Sequence, residues 1–176
     1  MGKLAGAVAF CSFSMLLGVL SGCSAIHQQI VAAARQPGEH IATTPERLWK
    51  EIDCEQRERP FVQVESMEVL PEMIKPGGRV NYRLIYSMCP VSKFTETVKT
   101  QVTRNIFYKG KEVARNTKND LELKAGRWAV DSFFTLPSNT PLGVYALEVT
   151  LHTPKGQPQK QVRSFVVSDE FYLSGP

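Results

Sequence analysis

Few residues in this chain are of a type that does chemistry. Its four cysteines are Cys11, Cys23, Cys54 and Cys89, and its three histidines are His27, His40 and His152. A thiol can serve as nucleophile, metal ligand, redox centre or disulfide partner, and spacing separates these uses. No two cysteines stand in a CxxC or CxxCH pattern, so a redox dithiol and covalent haem have no sequence basis. His27 and His40 fall in a segment without periodicity and His152 lies beside the Pro154 turn, which leaves metal coordination without enough ligands. Asp131 sits between Val130 and Ser132 on the outward side of a predicted strand, and Glu122 and Glu148 read as ordinary outward strand residues. With no glycine-rich phosphate loop and no serine nucleophile elbow, the chain reads as non-catalytic and needing no cofactor.

Cys23 is set apart by what precedes it. Lys3 gives a short positive start, and residues 4–20 are apolar or small without a charge. That run is interrupted by Ser12 and Ser14 and falls short of the ~20 residues that span a bilayer. Leu20-Ser21-Gly22 then places small residues directly before Cys23, as a cleavable leader does. Leu20-Ser21-Gly22-Cys23 resembles the lipobox of bacterial lipoproteins. The resemblance implies that 1–22 is a signal peptide, and that Cys23 takes a diacylglyceryl group on sulfur and an acyl chain on nitrogen. Two or more chains anchor stably where one is marginal. Ser24, where an Asp would retain the protein, implies export to a Gram-negative outer membrane, facing the periplasm. An uncleaved anchor and an ordinary secreted protein are the alternatives.

The leader also decides how the other thiols read. After cleavage, Cys54 and Cys89 are an even pair in an exported chain, the setting in which disulfides persist. If 61–70 and 79–88 pair antiparallel across the 71–78 connection, Pro60 lies near Cys89 and Cys54 is close enough to fold back.

The elements follow from periodicity. Residues 23–43 read as a lipidated tether. Thr43-Thr44-Pro45-Glu46 starts a short helix over 44–57, capped by Thr44 ahead of Pro45 or by Thr43 with Glu46. Leu48 and Ile52 share a face with Trp49 beside them. From Phe61 the period becomes two. Strands are predicted at 61–70, at 79–88 (Val80, Tyr82, Leu84 and Tyr86 alternating with polar residues), and at 97–108. Further strands are predicted at 111–115, from Leu121, at 127–136, at 145–151 and at 161–167, with 116–120 a polar loop and 169–176 a tail. Seven or eight short strands with turns every 8–12 residues predict an antiparallel sandwich over 58–168. Lys75-Pro76-Gly77-Gly78-Arg79-Val80-Asn81-Tyr82 and Pro141-Leu142-Gly143-Val144-Tyr145 resemble strand entries of bacterial immunoglobulin-like domains, and in such domains the tyrosine packs at a sandwich corner.

Charge is uneven. Residues 46–72 hold eight acidic and four basic side chains, whereas 93–127 hold four acidic and nine basic. The basic set is Lys93, Lys99, Arg104, Lys109, Lys111, Arg115, Lys118, Lys124 and Arg127. It reads as a solvated face, as a partner for the acidic segment of the same molecule, or as a site for an acidic partner. On the last reading Lys109, Lys111, Arg115 and Lys118 carry the binding. Two function classes remain. One is a structural or adaptor module that offers sheet edges and loops to another envelope protein or anionic envelope component. The other binds a glycan or small ligand through Trp128 or Tyr108. Nucleic acid is not an expected partner, because the compartment is wrong and the formal net charge is only +4.

Overall fold

The computed structural model describes residue 28 and residues 31–32, 34–92, 97–153 and 157–170; Cys23, Lys93 and 171–176 lie outside them. It is a mainly β, immunoglobulin-like sandwich with nine strands among the described residues. In chain order these are β1 (Gly38–Thr43), helix α1 (Pro45–Glu51), a 3-10 turn (Cys54–Gln56), β2 (Phe61–Leu70), β3 (Met73–Ile74), β4 (Arg79–Cys89), β5 (Thr97–Tyr108), β6 (Lys111–Lys124), β7 (Gly126–Thr135), β8 (Gly143–His152) and β9 (Gln159–Val167). One sheet has the order β1-β7-β4-β2 and the other β3-β9-β8-β5-β6. All pairings are antiparallel except β3 with β9.

The core is built by alternate residues. Val80, Tyr82, Leu84 and Tyr86 of β4 share one core with Tyr145, Leu147, Val149 and Leu151 of β8, joined by Val102 of β5 and by Phe165 and Val167 of β9, the strands on either side of β8. Side chains alternate across a strand, so polar neighbours are turned outward. Burying each such large side chain contributes about 1.5–3 kcal/mol. Tyr145 marks the expected corner: its Oη donates to the Pro141 carbonyl at 2.8 Å, and its ring stacks on Tyr108 and Phe165 at 4.6 and 5.5 Å. Gly143 makes this possible. Its φ is +137°, and a Cβ there would stand 3.1 Å from the Tyr108 ring.

Cys54 and Cys89 form the disulfide, with Cα atoms 5.6 Å apart. Phe61 stands opposite Cys89 in the β2–β4 ladder, the juxtaposition the antiparallel pairing requires. The 44–57 helix is in two pieces, because Asp53 adopts a left-handed conformation (φ 52°) between α1 and the 3-10 turn. Thr44 precedes Pro45 as the cap residue, without a side-chain cap bond. Leu48 is fully buried. Trp49 donates to Glu55 Oε1 at 3.3 Å and lies under Arg59, so it packs locally.

Two expectations are corrected. The tether does not run to residue 43: Gly38–Thr43 is strand β1, paired with β7. Only Ile41 breaks its polarity in the alternating sense, and Ile41 is itself exposed, so no period was there to read. The pairing is set instead by the otherwise open edge of β7. Likewise, 111–115, the 116–120 loop and the strand from Leu121 are one strand, β6. Its first ten residues are all exposed, and they are held by the backbone ladder to β5, with Thr103 opposite Thr117 and Arg104 opposite Asn116.

Candidate functional site

The basic residues are distributed by the β5–β6 hairpin. Lys109 and Gly110 both have positive φ, the two-residue turn that matches the twist of antiparallel strands. Lys111 then stands opposite Tyr108, Lys118 opposite Val102, and Arg115 opposite Asn105. Lys111 and Lys118 therefore share the face of Tyr108 and Val102, while Arg115 lies on the other face, bonded to Glu112 at 2.6 Å. Lys111, Arg115 and Lys118 line one edge strand but not one face, and Lys109 stands in the turn before it. The acidic segment is met elsewhere. Arg127 reaches Glu51 and Glu65, both at 2.8 Å, and Thr43 Oγ1 at 3.1 Å. Lys124 pairs with Glu39 at 2.6 Å.

Beside this strand the sandwich is open. A cleft of about 620 Å³ lies between β7 and the β5–β6 hairpin, walled by Ile106, Ala114, Phe134, Leu136 and Leu147. The β7 edge at Ser132–Thr135 faces it. Strand β1 covers β7 only as far as Asp131, opposite Gly38, and Pro37 lines the cleft where the chain turns away. Arg104 projects from β5 into this space. Its Nε donates to Tyr82 Oη, and its Nη1 to Asn116 Oδ1 at 3.2 Å. Both acceptors are neutral, and among the described residues no carboxylate lies within 4 Å of Arg104. A separate small cavity of about 20 Å³ lies between Tyr82, Tyr86 and Val130, with Tyr82 and Arg104 lining both. Burial pushes the Tyr86 hydroxyl up to about 12, although its oxygen accepts the Lys124 N–H at 3.0 Å.

The sequence reading missed Asp131. It does point outward from the sheet, but its side chain is completely buried. Arg83 donates Nη2 to Oδ2 at 2.7 Å and Nε to Oδ1 at 3.1 Å, and Asn81 Nδ2 donates at 3.3 Å. Arg35 lies over the same face and donates to Asn81 Oδ1 at 2.9 Å and Glu68 at 2.6 Å. Burial alone would raise the Asp131 pKa; hydrogen bonds from Arg83 and Asn81, with the charges of Arg83 and Arg35, outweigh it and hold the carboxyl below its ordinary value. The signal available was Asn81 and Arg83 two apart on the outward face of β4, but only the register brings Asp131 opposite Arg83. The cluster fixes the N-terminal segment to the sheet. One carboxylate thus draws the guanidinium groups of Arg83 and Arg35, at 2.7 and 4.0 Å, and His40, which β1 holds with Nε2 3.9 Å from Asp131 Oδ2.

The two aromatics considered for sugar stacking are engaged within the domain. Trp128 Nε1 donates to the Ala125 carbonyl at 2.8 Å, and the ring packs against the core under Lys124. Tyr108 stacks on Tyr145 and donates to the Leu142 carbonyl at 2.9 Å.

No protein-family model and no curated protein matches this chain. Solved structures similar to it include the CARDB domain of a Pyrococcus furiosus protein, in complex with di-metal ions (16% identity, 64% of this chain and 96% of that one, TM-score 0.44). Others are an alkylpurine DNA glycosylase from Pseudomonas fluorescens (18%, 60% and 30%, TM-score 0.43) and a sporulation control protein from Bacillus subtilis (16%, 62% and 50%, TM-score 0.40). This chain thus spans under a third of the glycosylase and half of the sporulation protein.

Proposed function

We propose that this protein is a non-catalytic lipoprotein of the cell envelope, held by acylated Cys23 in the outer membrane and facing the periplasm, whose sandwich is an adaptor for another envelope component. The observation that carries the adaptor reading is β6. Its residues Lys111–Asp120 are all exposed, and it ends its sheet with β5 on one side only. A long unpaired edge is a template for a partner's strand, through main-chain hydrogen bonds, unless charge keeps other chains away. Lys109, Lys111, Arg115 and Lys118 supply that charge, repelling basic edges and steering acidic ones. The anchor reading rests on Leu20-Ser21-Gly22-Cys23. Residues 24–34 leave at most about 40 Å between a lipidated Cys23 and Arg35.

The test is site-specific photocrosslinking in cells from Thr117 and Lys118, with Val162 on β9 as a distant control. A discrete protein or polymer adduct from β6 and not from Val162 is the expected result. Identical adduct patterns from all three positions would remove β6 as the docking edge.

A further inference from the structure

We propose that the cleft between β7 and the β5–β6 hairpin is a binding site for an amphiphilic anion, a single oxyanion head carried on an apolar chain. This does not depend on β6 acting as a docking edge. The chemistry is set by Arg104. A half-buried guanidinium with no carboxylate within 4 Å, and only the Tyr82 ring 5.8 Å from its Cζ, keeps a charge that no anion balances, which is costly in a partly desolvated place. Arg104 is held in position by Tyr82 Oη and Asn116 Oδ1, and these use Nε and one Nη1 hydrogen. Nη2 and the second Nη1 hydrogen are not engaged by either bond, and they form the fork that a carboxylate or phosphate accepts side-on. Lys109, Lys111 and Lys118 along the hairpin would attract the same sign of charge from solution.

The walls supply the second half of the specificity. From Arg104 the cleft runs along Ile106, Phe134, Leu136 and Leu147, which give it an apolar wall, with Asn116, Ser132 and Thr135 among the polar residues around it. Its volume, about 620 Å³, lies in the range of roughly 300–1,000 Å³ usual for small-molecule sites. An apolar chain laid against these side chains removes them from water, while the head pairs with the guanidinium. Two other charged groups are on the lining: Asp131 is neutralised by Arg83 and does not compete for Arg104, and Arg115 is paired with Glu112. Glu39, on the separate small cavity that Arg104 also lines, is held by Lys124.

The test uses residues 24–176, which contain every described element, exported so that Cys54 and Cys89 oxidise. Decanoate, decyl phosphate, decyl glucoside and decyltrimethylammonium are titrated below their micellar ranges. The methyl resonances of Ile106, Leu136 and Leu147 are followed. Saturable shifts with decanoate or decyl phosphate are expected, at least tenfold tighter than with the neutral or cationic probe. Comparing the two anions separates a fatty-acid head from a phospholipid-like one. Arg104→Gln should weaken anion binding at least tenfold. Ala114→Trp, at an exposed position on the rim, should block it with Arg104 intact. If Arg104→Gln fails to fold, Ala114→Trp and the head-group comparison still decide. No shift at these methyls with either anion overturns the proposal. So does equal affinity for decyl glucoside, which would mean an uncharged occupant, or unchanged binding in a folded Arg104→Gln variant.

Discussion

Arg83 meets Asp131 across the β4–β7 ladder with two nitrogens on two oxygens, at 2.7 and 3.1 Å, where the carboxylate has no solvent contact. Removing one partner of a buried pair leaves the other charge uncompensated, at a cost of about 3–5 kcal/mol. Arg83→Met should therefore destabilise the sandwich by roughly that amount, and Asp131→Asn by somewhat less, since Asn keeps an acceptor for Arg83. The pH dependence has a definite sign. Asp131 is held below the ordinary carboxyl value, so between its folded and unfolded pKa values the unfolded chain binds more protons. Its contribution is present above the unfolded pKa of about 4 and is lost as pH falls through the folded value. Urea unfolding from pH 7 to pH 2 should show the gap between wild type and Asp131→Asn closing only below about pH 4.

The disulfide closes a loop between residues 35 apart in sequence. Chain-entropy arguments value such a closure at about 4 kcal/mol, with measured losses commonly 2–5 kcal/mol. The Cys54→Ala, Cys89→Ala double variant should unfold at correspondingly lower denaturant concentration. Unreduced, denatured wild type should show neither of these two thiols in a thiol titration. The contrast with reduced protein checks both points.

Lipidation is tested at Cys23 itself. Mass spectrometry of the mature N-terminus should find acyl chains on Cys23, and Cys23→Ser should leave the protein unprocessed or release it from the membrane fraction. A Cys23→Ser protein cut after Gly22 and still membrane-bound would count against the anchor.

Electrostatic attraction at the basic edge should be sensitive to salt, because screening shortens to about 8 Å at physiological ionic strength. Retention of residues 24–176 on envelope material should fall between low and moderate salt. Lys109→Glu, Lys111→Glu and Lys118→Glu together should reduce it at low salt. Retention indifferent to both would make these lysines ordinary surface.

What could be read from the sequence depended on whether apolar period or backbone pairing made the element. Strand β4 was legible because Val80, Tyr82, Leu84 and Tyr86 repeat every second residue toward the core, and β8 for the same reason from Tyr145 to Leu151. The corner at Tyr145 was legible from its loop. β1 and the first ten residues of β6 were not. Their partners are chosen by open edges on β7 and β5, and an edge strand wet on both faces carries no pattern. The Asp131 cluster and the Arg104 cleft needed the register between distant strands, which no local spacing contains. The basic segment was visible as charge, but the irregularity at Ile106/Phe107 that puts Arg115 on a different face from Lys111 was not.

The covalent tie between Cys54 and Cys89 gives the N-terminal region a mechanical meaning. With Cys23 held in a membrane and the sandwich held by a partner, tension enters the domain at Arg35 and Gly38. It would first strip Arg35 from Asn81 and Glu68, then peel β1 from β7 and unwind α1. At Cys54 it meets a bond fixed to the buried end of β4, so unravelling stops there with β2 to β9 intact. The reach from lipid to sandwich could then extend to at most about 110 Å. The first stretch of the fold would then act as a strain-relief leash, one that pays out under load and rewinds when the load is gone.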